Sequence, residues 1–219
     1  MSTSLSSTPR TRLGRLPERG RTDRRDLYDV LDDGLVCHLG VVVGGHPVVV
    51  PTIYGRVGDT LYLHGSSGSR SLRTAQSGAE VCVTVTHLDG LVLARSIFHH
   101  SMNYRSALIY GTARLVGDPS EKLDGLRTVS EQVAPGRWQA VRPPSGKELA
   151  ATILLALSLD EASVKVRSGP PGDDDADLDR DVWAGVVPAR QVWGEPVPDP
   201  ALPPGTALPE HVRRLAAGS

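Results

Sequence analysis

The sequence predicts a mainly β protein, a six- to seven-stranded antiparallel barrel with a few helices inserted between strands. Three observations predict it. Apolar and polar residues alternate in short runs, most clearly in Ala79–His87, where Val81, Val83 and Val85 alternate with Cys82, Thr84 and Thr86. Turn signals separate the runs at Gly44-Gly45, Gly58-Asp59 and Asp89-Gly90. Helical spacing behind good capping residues is confined to a few short segments.

The elements follow in order. Thr22 and Asp23 can cap a helix to about Asp33, with Leu27, Val30 and Leu31 on one stripe and Gly34 as its stop. Leu35–Val43 and His46–Val57 read as strands joined at the two glycines. Pro51 cannot donate to a ladder, so the second strand is bulged or at an edge there. Thr60–His64 continues the sheet, with Leu61 and Leu63 facing one way and Tyr62 and His64 the other. Ser66–Gly78 reads as a Ser/Gly loop and a short helix, with Leu72 and Ala75 inward. Ala79–His87 is then paired, through Asp89-Gly90 as a hairpin turn, with Leu91–Ile97. Tyr104–Val116 is another strand. Asp118-Pro119-Ser120-Glu121 opens a helix carrying Leu123, Leu126, Val129 and Val133, ended by Pro135-Gly136. Ser145–Glu148 can cap one more short helix. Ala150–Arg167 reads partly as a long strand, and Val182–Val192 as a last one. Gly169–Asp181 holds six Asp and reads as a solvated, mobile loop.

Composition bounds the class. Of 219 residues, 39% are hydrophobic and 22% charged, a globular profile with room for one core. Net charge is −1, so no global field favours nucleic acid or an anionic membrane. No apolar run reaches the roughly 20 residues of a membrane span. Cys37 and Cys82 form neither a redox pair nor a zinc-ligand spacing, and read as free thiols in a reducing cytoplasm. Residues 1–21 read as a disordered basic tail, 22–193 as the folded domain and 194–219 as a Pro-rich extension. The tail lacks interleaved aromatics, which argues against nucleic-acid binding.

The most informative stretch is Leu61–Leu72, LYLHGSSGSRSL. A strand ends and a helix begins, and the junction holds Ser66, Ser67, Ser69, Ser71, two glycines and Arg70. Free amides, hydroxyl donors and a guanidinium together suit a phosphate. Glycine permits close approach of a ligand to the backbone. The pattern is not a P-loop. His64, with a pKa near neutrality, is the candidate catalytic or tuning group. No nucleophile elbow, spaced catalytic triad or metal-ligand cluster is apparent. Phe98-His99-His100 is an apolar and imidazole pair whose adjacency disfavours a shared metal within a strand. Arg95 and Arg105 flank it and could meet an anionic substrate or form surface ion pairs. The Asp173–Asp181 run does not match a calcium loop.

Four segments carry a family resemblance: Pro47–Tyr54 (PVVVPTIY), Leu61–Arg70 (LYLHGSSGSR), Tyr104–Gly111 (YRSALIYG) and Val182–Pro188 (VWAGVVP). In order and spacing they resemble the FMN-binding split β-barrel of the pyridoxamine 5′-phosphate oxidase-like superfamily. They are most similar to its flavin-nucleotide-binding branch, which includes nitroimidazole-resistance reductases. The resemblance implies that Ser69 and Arg70 hold the FMN phosphate, with Ser67 beside them. It places Ser71 where many members carry a second cation. It sets Leu63 and His64 along the flavin, Val50, Thr52 and Tyr54 on the strand beside the ring edge, and Lys165 in a stretch near the cofactor. It further implies a homodimer with the cofactor between protomers.

A flavin-dependent oxidoreductase, a reductase of a small molecule, is the expected function. The alternatives are a non-catalytic flavin store or redox sensor, and use of the same cleft for deazaflavin F420 or haem. The Arg/His substrate signature of true pyridoxamine 5′-phosphate oxidase is missing at Val182–Arg190, which argues against that substrate.

Overall fold

Side chains that alternate along seven long strands build the core, and each strand turns one apolar row inward. The structure, a computed structural model, describes residues 3–218. In chain order the elements are β1 (Gly20–Arg21), α1 (Arg24–Asp32), β2 (Val36–Val43), β3 (His46–Val57), β4 (Thr60–Ser66), α2 (Arg70–Gln76), β5 (Glu80–Leu93) and β6 (Ser101–Thr112). They continue with β7 (Arg114–Leu115), α3 (Pro119–Val133), α4 (Arg137–Ala140), α5 (Gly146–Ala150), β8 (Thr152–Ser158), β9 (Ala162–Arg167), β10 (Gly185–Pro188) and α6 (Glu210–Ala216). The ladder runs β1-β9-β6-β5-β2-β3-β4-β8-β7, with β10 added on β5. All its pairs are antiparallel. This is the mainly β split barrel the sequence predicts. The sheet has ten strands because β1, β7 and β10 add two, two and four residues of pairing to the seven long ones.

The barrel core joins Cys37, Leu39 and Val41 of β2 with Leu61 and Leu63 of β4 and Val81, Val83 and Val85 of β5. Leu27, Val30 and Leu31 of α1 close one end, all at most 2% exposed. Burying each such side chain stabilises by about 1.5–3 kcal/mol. A second cluster lies outside the barrel, where α3 covers β4 and β8: Tyr62, Val116, Val129, Leu154 and Ala156. Local signals set the helix starts. Asp23 accepts from Arg25 N (2.8 Å) and Asp118 from Glu121 N (2.8 Å). Ser145 and Glu148 form a reciprocal capping box.

Four expectations differ from the structure. Asp89-Gly90 is no hairpin turn: β5 runs straight through it with a register shift between Leu88 and Gly90. Glycine is needed there because a Cβ would lie 2.9 Å from the Val187 carbonyl oxygen of β10. The true turn is Ala94–His100. Ala150–Arg167 is two strands, reversed at a turn where Ser158 Oγ donates to Asp160 Oδ2 (2.6 Å). Residues 3–21 lie along the barrel instead of forming a free tail. Leu5 N donates to Thr22 O (2.8 Å), Thr8 Oγ1 to Glu161 (2.6 Å), and Arg10 bridges Glu161 and Glu80. Arg10 thus has two carboxylate partners, and β1 covers the edge of β9. The acidic loop is pinned too, because Asp173 accepts from Arg95 N (2.7 Å) and Arg95 Nη1 (2.9 Å). Pro51 sits where β3 has only β2 beside it, since pairing with β4 begins at Tyr54.

Candidate functional site

The junction after β4 is tightly built. A Cβ on Gly65 would meet Leu72 Cδ1 at 2.6 Å, so α2 packs directly on the strand end. Ser67 N donates to Ala151 O (2.9 Å), and Ser66 Oγ accepts from Gly68 N (3.1 Å). Ser69 caps α2, accepting from Leu72 N (3.4 Å). Arg70 is exposed and has no ion pair or hydrogen bond among the described residues. It shares an open groove of about 380 Å³ with Val43, Arg73, Thr74 and Ser77. Ser71 departs from expectation. It lies on the inner face of α2 with Leu72 and Ala75, and is 7% exposed. Arg73, one turn after Arg70, is the other cation lining that groove. Helical spacing could have revealed it.

The other expected positions divide by face. Leu63 and Tyr54 are fully buried, and Tyr54 OH donates to Leu31 O (2.6 Å). Burial pushes that phenol's pKa well above its usual value. Val50 is partly buried against the same core, and Thr52 Oγ1 donates to Ile53 O (3.2 Å). The side chains of Val50, Tyr54 and Leu63 therefore belong to the barrel interior, leaving backbone as what they could offer a ligand outside. Lys165 Nζ donates to Arg15 O (3.0 Å) and lines neither opening described here.

His64 is on the outer face of β4, opposite Leu154. It forms part of a cavity of about 480 Å³ between β3, β4 and α3. Ile53, Leu126, Val129, Trp138 and Val141 supply its apolar walls. Arg142 and Glu148 form an ion pair at the rim (2.6 Å). Neither ring nitrogen of His64 is hydrogen-bonded among the described residues, and Nδ1 is buried. An unmet buried nitrogen costs about 1–3 kcal/mol. Burial lowers the imidazole pKa, because desolvation disfavours the charged ring. The roof is close because Gly55 and Gly125 lack side chains: a Cβ on Gly55 would lie 2.6 Å from Val129 N. The 126–148 walls were not assigned from sequence.

The remaining candidates are engaged elsewhere. His99 Nε2 meets Asp174 (3.1 Å) and His100 Nδ1 meets Ser96 O (2.8 Å). Arg105 pairs with Asp33 (2.6 Å) and Asp89 (3.2 Å). With Arg95 held by Asp173, both arginines form ion pairs. Among the described residues no cluster of three or more His, Cys, Asp or Glu is arranged for a metal ion. Among the described residues no helix is long and apolar enough to cross a membrane.

The molecule is thus a split antiparallel barrel with a groove beside α2 lined by Arg70 and Arg73. The pyridoxamine 5′-phosphate oxidase family model matches residues 23–166, and the chain belongs to that family. The FAD and haem binding protein from Mycobacterium smegmatis is 42% identical, with a TM-score of 0.86 over 90% of this chain and 96% of that one. The flavocytochrome Anf3 from Azotobacter vinelandii is 38% identical, with a TM-score of 0.91 over 96% and 98%. A candidate 5-nitroimidazole antibiotic resistance protein from Bacteroides thetaiotaomicron shares the fold at 23% identity (TM-score 0.57), over 67% of this chain and 86% of that one. No curated protein matches this sequence.

Proposed function

We propose that this chain is a flavin- and haem-carrying oxidoreductase that acts on a small molecule as a homodimer. The observation that carries the reading is the similarity, over 90% or more of the chain, to two proteins named for both kinds of cofactor, at 42% and 38% identity. The residues present fit both groups. Arg70, unpaired and exposed, Ser67, Ser69 and Arg73 would hold a flavin phosphate, and Gly68 leaves its backbone open to approach. The flavin is FAD or FMN, which share that phosphate chemistry. The 480 Å³ cavity, with its apolar walls and one unpartnered imidazole, falls within the roughly 300–1,000 Å³ of cofactor sites. Bound flavin and haem supply the hydride and one-electron chemistry that no side chain here provides.

The protein's own part is binding and exclusion. The Arg70–Arg73 edge fixes an anionic tail, and α3 supplies one apolar wall of the cavity. The outer face of β2 and β3 supports the dimer. Val36 (47% exposed), Val42 (58%), Val49 (63%) and Ile53 (36%) form an uncovered apolar sheet face. That surface suits a second copy better than solvent.

The test is the absorption spectrum of protein as purified, followed by mass analysis of released cofactors. Flavin with a haem Soret band is the expected result. A deazaflavin spectrum, or a colourless protein that takes up neither cofactor, refutes the proposal.

A further inference from the structure

Given the flavin-and-haem reading above, which leaves the iron's protein ligand open, we infer that His64 is that ligand, through Nε2, and that the haem occupies the cavity beneath α3. Elimination and geometry both lead there. The sequence has seven histidines. His87 Nε2 is hydrogen-bonded to Val30 O (2.8 Å) and His99 Nε2 to Asp174 (3.1 Å), while His100 bonds Ser96 O through Nδ1, and none of the three lines the cavity. His38 and His46 stand exposed on the β2–β3 hairpin and do not line the cavity. His211 has a buried, unpartnered Nε2, but its cleft against Gly136 is only about 210 Å³. Among the seven, only His64 lines the large apolar space. Its Nδ1 is buried, whereas Nε2 is the ring nitrogen left accessible.

The surroundings suit a flat, hydrophobic ring that bears carboxylates on one edge. Ile53, Leu126, Val129 and Trp138 offer apolar contact, and Arg142 stands 71% exposed at the rim for anionic groups. The thiol alternatives fail. Cys37 is sealed in the core with its pKa pushed up to about 12 by burial, and Cys82 faces Thr84 on β5.

The experiment compares haem-loaded wild type with His64→Ala, His64→Met and His64→Gly by absorption and electron paramagnetic resonance. Flavin content and thermal midpoint are followed in parallel. His64→Ala should lower haem per chain by about 10-fold or more while flavin content holds. His64→Met should keep haem with a shifted Soret band and altered resonance. Added imidazole should restore the His64→Gly spectrum, which a merely structural role would not allow. A wild-type Soret position and haem content in His64→Ala would overturn the ligand assignment and leave the proposed function standing. Wild-type protein that binds flavin but no haem would remove the haem half of that function, and this inference with it.

Discussion

Gly55→Ala probes the contact on which the cavity depends. The added Cβ would lie 2.6 Å from Val129 N and 2.7 Å from Thr128 C and Val129 Cα, all backbone of α3. To reach ordinary contact at 3.4 Å, the helix must rise by about 0.7–0.8 Å. Backbone cannot rotate aside as a side-chain tip can, so the cost lies near the top of the overpacking range, about 3 kcal/mol. Alanine's lower unfolded-state entropy offsets about 0.5–1 kcal/mol. The net loss is about 2 kcal/mol, or roughly 4–8 °C in thermal midpoint for a chain of this size. Gly125→Ala is the control. Its Cβ meets Leu154 Cδ2 at 2.6 Å and the Tyr62 ring at 3.1 Å, and the helix gains propensity. Urea unfolding of the two variants should rank Gly55→Ala clearly below Gly125→Ala in stability. The Gly55 variant should also bind haem more weakly, because Val129 is part of both roof and wall. A Gly55→Ala loss under about 0.5 kcal/mol, or the reverse ranking, would refute close α3 docking as the feature that shapes the cavity.

Three further outcomes are expected. Arg70→Ala should weaken flavin binding about 10- to 150-fold, the equivalent of about 1.5–3 kcal/mol for a charge-assisted contact. Unchanged affinity by fluorescence titration would place the phosphate elsewhere. Val49→Asp sets like charges on facing copies of the β2–β3 surface and should yield monomers by light scattering, whereas an intact dimer mass would assign the interface to another face. Asp59 has its pKa lowered by the Tyr28 hydroxyl (2.5 Å) and by Arg24 (2.7 Å). A carboxylate with a depressed folded pKa stabilises fully above its unfolded value near ~3.9, and that contribution is lost as pH falls through the folded value. Asp59→Asn should therefore lower stability at neutral pH and flatten its fall on the acid side, read from urea midpoints across pH. An unchanged acid slope would show that the Tyr28–Asp59–Arg24 cluster does not drive acid unfolding.

Local features carried the readings that held. Asp23, Ser69, Asp118 and Ser145 each cap a helix from within a few residues, so α1, α2, α3 and α5 were legible. The alternation in β5 and the junction at Arg70 were legible for the same reason. What failed depended on distant partners. Asp89-Gly90 has turn chemistry, but β10 lies against it from about a hundred residues away and makes it a bulge. The turn at Ser158–Glu161 carries no glycine or proline and closes through a serine side chain. Arg10 looked like part of a solvated tail because Glu80 and Glu161 are remote in sequence. Ser71 was placed by family resemblance alone, whereas helical phase turns it inward and sets Arg73 in the groove beside Arg70. His64 stood out by type, but its cavity did not, because Trp138 and Arg142 reach it only once α3 has docked on Gly55.

The most direct measurement is a crystal structure of the holoprotein with an anomalous difference map collected at the iron edge. The expected result is one iron peak per chain beside His64 Nε2 beneath α3, with flavin phosphate density at Arg70. An iron peak on another histidine, or flavin density away from the Arg70–Arg73 groove, would contradict it.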